Sequence, residues 1–363
     1  MHGKIENIQA LRGVAALAVF GAHLQQAETA YSGAMLTPEW LQIGVTGVDL
    51  FFLISGYVMM HVTTNSTRGP GPSIQFLFNR AARIYPMYWI ATLALVILYM
   101  GKKYLFGENT SLGSPIASFF LAPHDYPPIL PVGWTLVHEM YFYLVFAGIL
   151  LAPVRFVPAF LLIWAGVIVA AIAVGAEHLN AGAAISFSPL TFEFIGGCAI
   201  ALLVQRGVSH AALSSLIIGS MALIVLTFGF FDQLYPTAME NSGWRAALFG
   251  PAYGLILYGA VSLENSGRGI APQWLVKTGD ASYALYLVHI PVVLVIGKIL
   301  STTGESGWVF SLFLLTACTA ATLAATFCAH LYLERPSLRL ARKLSERLFS
   351  RPAQTKVKPN RAW

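Results

Sequence analysis

The chain has 363 residues, 56% hydrophobic and only 10% charged, with 22 Lys and Arg against 16 Asp and Glu. Soluble domains carry about 25% charged residues, so this balance and a mean hydropathy of +0.66 exclude an ordinary soluble fold and indicate a polytopic helical membrane protein. Three cysteines, with no CxxC pair and no Cys/His cluster, indicate neither a disulfide framework nor a metal site and read as small buried apolar residues.

Apolar stretches of about 20 residues, the length that spans a bilayer, fall near 7–26, 43–62, 83–101, 134–152, 156–175, 189–205, 211–230, 245–263, 281–300 and 308–333. The first superficially resembles a signal peptide. Arg12 interrupts it, however, and no small-x-small cleavage site precedes Glu28, so a retained first span is expected. Arg12 and His23 lie eleven residues apart. On a helix that is a rise of about 16.5 Å with a return to within about 20° of the starting direction, so both occupy one face, which cannot look at lipid. The segment 115–122 is too short to span and is expected in an interfacial loop.

Ten spans put both termini on one side, and a cytoplasmic N-terminus places eighteen of the 22 Lys and Arg inside, as the positive-inside rule requires. The expected fold is an all-α bundle of about ten transmembrane helices with both termini cytoplasmic. It comprises a membrane domain over 1–333 and a basic tail over 334–363. In that tail Leu338, Leu344 and Leu348 alternate with Arg339, Arg342, Lys343 and Arg347. The pattern predicts an amphipathic helix against the lipids of the inner leaflet, then a disordered end. Glu334 beside Arg335 reads as a cap on the last span. The tail accounts for much of the net charge of +6, so nucleic-acid binding is not indicated.

Charges within hydrocarbon normally face the bundle interior and mark a site. By helical rise, Arg12 falls near the cytoplasmic end of its span and His23 in the outer third. Asp49 in "GVTGVDLFFLISGY" falls in the outer part of the second span, with Ser55, Gly56 and Tyr57 near the middle. His138 and Glu139 in "GWTLVHEMYFY" fall little more than a turn below the outer end of the fourth. His23, Asp49 and Glu139 are thus expected at similar depth. Arg80 and Arg83 in "FNRAARIYPMYW" begin the third span on the cytoplasmic side. Guanidinium groups there suit phosphates, and an imidazole above them suits proton transfer. Plainer readings stand beside these: arginines near helix ends act as anchors, lone histidines pack, and a glycine such as Gly56 lets helices approach closely.

In order, "IQALRGVAALAVFGAH", "GVDLFFLISGYVM", "FNRAARIYPMYW", "GWTLVHEMYFY", "FEFIGGCAI", "SYALYLVHIP" and "LERP" resemble the acyltransferase-3 family of integral membrane acyltransferases. The likeness is greatest to the branch that O-acetylates bacterial exopolysaccharides, and it runs from about Asn7 to Pro336. It implies that His23 is the catalytic histidine, that Arg12, Arg80 and Arg83 serve an acyl-CoA donor, and that a Ser55-Gly56-Tyr57 turn supports the site. One departure is that two alanines separate Arg80 from Arg83, where many relatives have Arg-x-Arg; one helical turn still keeps both on a common face.

The expected chemistry is transfer of an acyl group, acetyl in the simplest case, from acyl-CoA as co-substrate to a polysaccharide or lipid-linked sugar at the bacterial cytoplasmic membrane. No resident cofactor is implied. His23 is the expected general base, oriented by Glu139 or alternatively Asp49, with Tyr57 or the Gly56 backbone N–H steadying the oxyanion. A covalent acyl-histidine is the other route. Trp134, His138, Tyr143, Glu193, Tyr286 and His289 are the acceptor-side candidates. The rival function is a transporter or flippase for a lipid-linked sugar or anionic solute, against which the absence of an internal repeat counts.

Overall fold

The computed structural model describes residues 5–106, 114–231, 236, 241–269 and 271–349. Among these residues it is helical, without strands, as expected where each backbone polar group must be satisfied within its own segment. Each of the ten apolar stretches holds a helix: α1 (Glu6–Tyr31), α2 (Gly47–Thr63), α3 (Pro70–Phe106), α5 (Gly133–Ile149), α6 (Val157–Ala173), α8 (Thr191–Gln205), α9 (Ala212–Phe228), α10 (Ser242–Asn265), α12 (Ser282–Ser301) and α13 (Trp308–Ala329). Between and after them run α4 (Pro115–Phe120), α7 (Ala181–Ser186), α11 (Gln273–Asp280) and α14 (Arg335–Phe349). Seven helical runs among the described residues are long and apolar enough to cross a membrane. The polar-rich α1 and the 17-residue α5 and α9 fall outside that set.

Polarity is turned inward. Leu162, Ile163 and Val169 of α6 and Val309, Leu312 and Phe313 of α13 are exposed, while Asp49, Glu193, Arg245 and His289 are buried. Cys198 and Cys318 are buried as expected, whereas Cys328 lies on the outer surface of α13.

Two glycines fix how α2 meets α8. A Cβ on Gly56 would overlap the Phe194 carbonyl, and one on Gly197 would overlap that of Leu53. The helices therefore touch backbone to backbone, as small residues permit, and the Cys198 thiol donates to the Gly56 carbonyl at 3.3 Å. Ser55, Gly56 and Tyr57 form no turn; they lie inside one continuous helix.

The start of α1 is held from another helix. Glu6 N–H and Asn7 N–H each donate to the Glu264 carboxylate at 2.7 Å, and the Asn7 amide donates to the Ala260 carbonyl at 2.8 Å. A carboxylate at a helix N-terminus satisfies orphan donors and opposes the helix dipole. Glu264→Ala should therefore lower stability by about 1–2 kcal/mol, read as a reduced melting temperature in detergent, with Glu264→Gln intermediate.

Segment 115–122 does not form a simple surface loop. Tyr85, Tyr88 and Trp89 of α3 donate to the carbonyls of Phe120, Ser118 and Phe119 at 2.9, 2.8 and 2.8 Å. These bonds satisfy carbonyls that a helix of six residues leaves open. The chain thus folds back along α3, and α5 starts level with Tyr88, whose ring would lie 3.1 Å from a Cβ on Gly133.

After α13, a π turn over His330–Glu334 leads into α14. The His330 ring bonds to Glu334 at 2.7 Å and accepts from Arg335 at 3.1 Å, so Glu334 engages this histidine. The α14 helix packs against the first turns of α3 through Phe78 and Phe349, 5.8 Å between rings, and through Gln75, which donates to Ser345 at 3.4 Å. The expected disordered end, 350–363, lies outside the described residues.

Candidate active site

Where α1, α2, α3, α5 and α12 converge there is a cavity of about 80 Å³ whose polar lining includes Arg12, Ser55, Arg80, Arg83, Glu139, Tyr143, Ser282 and Tyr283. Arg12 Nε donates to Ser282 Oγ at 3.3 Å. Glu139 Oε1 accepts from Ser55 at 3.1 Å and from the Tyr143 hydroxyl. The Arg80 guanidinium lies 5.8 Å from the Phe76 ring centre, and its buried Nε has no hydrogen-bond partner. Three guanidinium groups around one carboxylate leave an excess of positive charge inside an apolar bundle. Such charge calls for an anionic ligand.

Arg80 and Arg83 also line a larger groove, of about 540 Å³, between α3 and α14. The two arginines therefore stand at the neck between the groove and the cavity.

The far end of the cavity is closed by Phe51 and Tyr286, whose rings meet edge-on at 6.0 Å. Tyr286 is fixed by hydroxyl bonds to Thr135 at 2.8 Å and to the Val132 carbonyl at 3.2 Å. Beyond this aromatic septum is a histidine pair. Tyr286 and His289 rings lie 6.0 Å apart, and His289 and His23 rings 5.0 Å apart. His23 Nδ1 bonds to the Val19 carbonyl at 2.9 Å, and His289 Nδ1 to the Leu285 carbonyl at 2.9 Å. A carbonyl can only accept, which assigns the proton of each neutral ring to Nδ1. His289 Nε2 is then an acceptor, 3.4 Å from His23 Nδ1, and His23 Nε2 keeps a free lone pair. The half-buried His23 is thus held as a base by a backbone carbonyl and a second histidine. Arg12 and His23 share a face of α1 but not a cavity: neither His23 nor His289 lines the arginine-lined space.

Neither carboxylate expected to orient His23 reaches it. Glu139 sits instead among the arginines, lining the cavity with Arg12, Arg80 and Arg83. Tyr143, one turn further along α5, donates to Glu139 and lines the same cavity. Asp49 is engaged by Arg245, the first residue of the apolar stretch 245–263. The Arg245 Nε donates to Asp49 Oδ1 and Oδ2 at 2.9 and 3.0 Å, and Nη2 lies 2.8 Å from Oδ1. Its guanidinium stands 5.7 Å from the Trp134 ring centre.

The remaining candidates surround this ion pair or line the septum. His138 bonds to the Trp134 carbonyl at 3.0 Å and packs against Phe52. Glu193, an acceptor-side candidate, is buried, with no hydrogen-bond partner for either carboxylate oxygen among the described residues. Tyr286 and His289 form the septum and the histidine pair. Tyr57 stacks on His61 with rings 5.7 Å apart. The buried Tyr57 hydroxyl has no hydrogen-bond partner among the described residues and does not line the cavity, and the Gly56 N–H is committed to a helix interior. Of Ser55, Gly56 and Tyr57, only Ser55 faces the cavity. Ser282, Tyr283 and His289's pairing were also beyond sequence reasoning; Arg245 carried a signal, since an arginine heading the apolar run "AALFG" demands a carboxylate nearby.

A family model described as an acyltransferase domain matches residues 5–330. The chain is 31% identical to the exopolysaccharide production protein ExoZ of Rhizobium meliloti (strain 1021), over 89% of this chain and 99% of that one. It is 27% identical to the acyltransferase MdmB of Streptomyces mycarofaciens, over 93% and 92%. To the peptidoglycan O-acetyltransferase OatA of Listeria monocytogenes it is 25% identical, over 84% of this chain and 52% of that one. No solved structure matches the chain.

Proposed function

The chain belongs to the acyltransferase-3 family, and from that premise we propose that it is an inner-membrane O-acyltransferase of bacterial type. It moves an acetyl group from cytoplasmic acyl-CoA to a hydroxyl of an extracytoplasmic or lipid-linked polysaccharide sugar. The likeness to ExoZ and OatA supports a polysaccharide acceptor, and the Lys/Arg distribution supports cytoplasmic termini. The observation that carries the reading is the arrangement of compartments: an arginine-lined cavity shares Arg80 and Arg83 with a basic groove, and a base-competent histidine pair stands behind a two-ring septum.

In this reading the donor's phosphates stay at the arginines while its slender arm enters the cavity. The Phe51–Tyr286 septum parts only to admit the thioester, which keeps the bilayer sealed to small ions between turnovers. His23 Nε2 takes the proton of the attacking sugar hydroxyl as the oxygen bonds to the thioester carbon. The carbon–sulfur bond breaks, and the imidazolium returns the proton to the departing CoA thiolate. His289 stabilises the charged imidazole through its acceptor Nε2 and acts as a positioning residue.

The test uses purified protein in lipid nanodiscs with acetyl-labelled acetyl-CoA and polysaccharide from cells lacking the gene. Label is expected in alkali-labile esters on the polysaccharide, with one CoA thiol released per ester. Solute or lipid-linked sugar movement in liposomes without any CoA release would replace this reading with transport.

A further inference from the structure

The C-terminal helix has two unlike faces. Leu340, Leu344 and Leu348 are exposed on one side, suited to the surface of the inner leaflet. The other side carries Arg339 and Arg342 into the groove that α14 makes with α3, opposite Gln75, Asn79, Arg80 and Arg83. Four guanidinium groups face this space against a single carboxylate, Glu346. Like charges are gathered there at a cost that an anchoring role does not require, since basic residues anchoring a helix to lipid need not converge on a cleft. The spaces also differ in size: about 540 Å³ outside the arginine neck and about 80 Å³ within. A bulky phosphorylated group suits the first and a slender chain the second.

We propose that Arg339 and Arg342 complete, with Arg80 and Arg83, a polyphosphate-binding groove that holds the nucleotide end of the acyl-CoA donor, making the tail helix part of the substrate site. This rests on the reading of the inner cavity as the donor site. Guanidinium pairs recognise phosphomonoester and pyrophosphate oxygens through forked hydrogen bonds. The same chemistry is offered by lipid headgroup phosphates, so the experiment separates the two sources.

The variant is Arg339→Gln/Arg342→Gln, with Arg347→Gln, outside the groove lining, as a control. Each is reconstituted in phosphatidylcholine nanodiscs and assayed with acetyl-CoA and with S-acetyl-pantetheine, which lacks every phosphate. The double variant is expected to raise KM for acetyl-CoA about tenfold or more, equivalent to about 1.4 kcal/mol or more, with kcat and the KM for S-acetyl-pantetheine unchanged. The control should match wild type for both donors. An unchanged KM for acetyl-CoA, or an equal rise for both donors, would overturn the proposal, the latter marking a merely structural helix. A difference from wild type seen only in nanodiscs containing phosphatidylglycerol would assign the groove to lipid headgroups and also end it. If the wild type shows no saturable use of either donor, the donor-site reading itself fails, and the groove proposal with it.

Discussion

Replacing His23 by Ala is expected to lower kcat for acyl transfer by about 10²–10⁴-fold, the usual contribution of a positioned general base, while leaving KM for acetyl-CoA near wild type. The split follows from the proposed scheme, in which the donor's phosphates stay at Arg12, Arg80 and Arg83 while His23 stands on the other side of the Phe51–Tyr286 septum. Arg12→Gln should show the reverse pattern, a raised KM with a smaller change in kcat. His289→Phe should lose less than His23→Ala, about tenfold in kcat. It removes the acceptor 3.4 Å from His23 Nδ1 but leaves the Val19 carbonyl to hold the ring. Added imidazole should restore part of the His23→Ala rate, which a change in packing alone would not allow. Full activity in His23→Ala, with normal insertion and donor binding, would remove the base from the scheme and with it the direct-transfer mechanism.

The order of helices and the pairing of Arg80 with Arg83 were legible because both depend on local facts: apolar run length and one helical turn between the two arginines. The plainer reading of Gly56 as a contact glycine was also legible, and its backbone approach to Phe194 agrees with it. The partner of each carboxylate was not. Counting helical rise gives an expected depth and says nothing of which neighbour a side chain meets: Glu139 accepts from Ser55 of α2 and from Tyr143, and lines the cavity with the arginines. The packing that sets this is nonlocal, as where three side chains of α3 bond to carbonyls of α4 ahead of α5. Rotation about each helix axis is likewise set by neighbours, so the meeting of Asp49 with Arg245, 196 residues apart, leaves no trace in spacing. The same limit hid the septum, since Phe51 and Tyr286 are ordinary aromatic residues until two helices bring their rings together.

The ion pair of Asp49 and Arg245 is where loss of one side chain should most damage the fold. Asp49 is fully buried and Arg245 nearly so, and Arg245 Nη2 also donates to the Val45 carbonyl at 3.3 Å. Removing one member of a buried pair typically costs about 3–5 kcal/mol, because the other charge is left unpaired in a poor solvent for it. Asp49→Ala is therefore expected to lower the melting temperature in detergent sharply. The combined Asp49→Leu/Arg245→Met change should recover much of the loss, since well-packed apolar replacements of a buried pair are often neutral or better. Glu193 adds a discriminating arm. Its carboxylate is buried without a hydrogen-bond partner beside this pair, so it can take over the guanidinium when Asp49 is gone. Glu193→Gln alone should then be mild, whereas Asp49→Ala/Glu193→Gln should exceed the sum of the single changes, the non-additivity expected of groups in one network. The pair also joins the start of α2 to α10, and Gly44 and Gly47, at that end of α2, pack against the carbonyls of Ala18 and Ala15 on the helix that carries His23. If His23 is the base as proposed, Asp49 is thereby expected to act as a positioning group for α1. Its charge-preserving variant Asp49→Glu should retain more activity than Asp49→Asn at equal protein recovery; equal activity in the two would show that shape alone, without the charge, holds α1 in place.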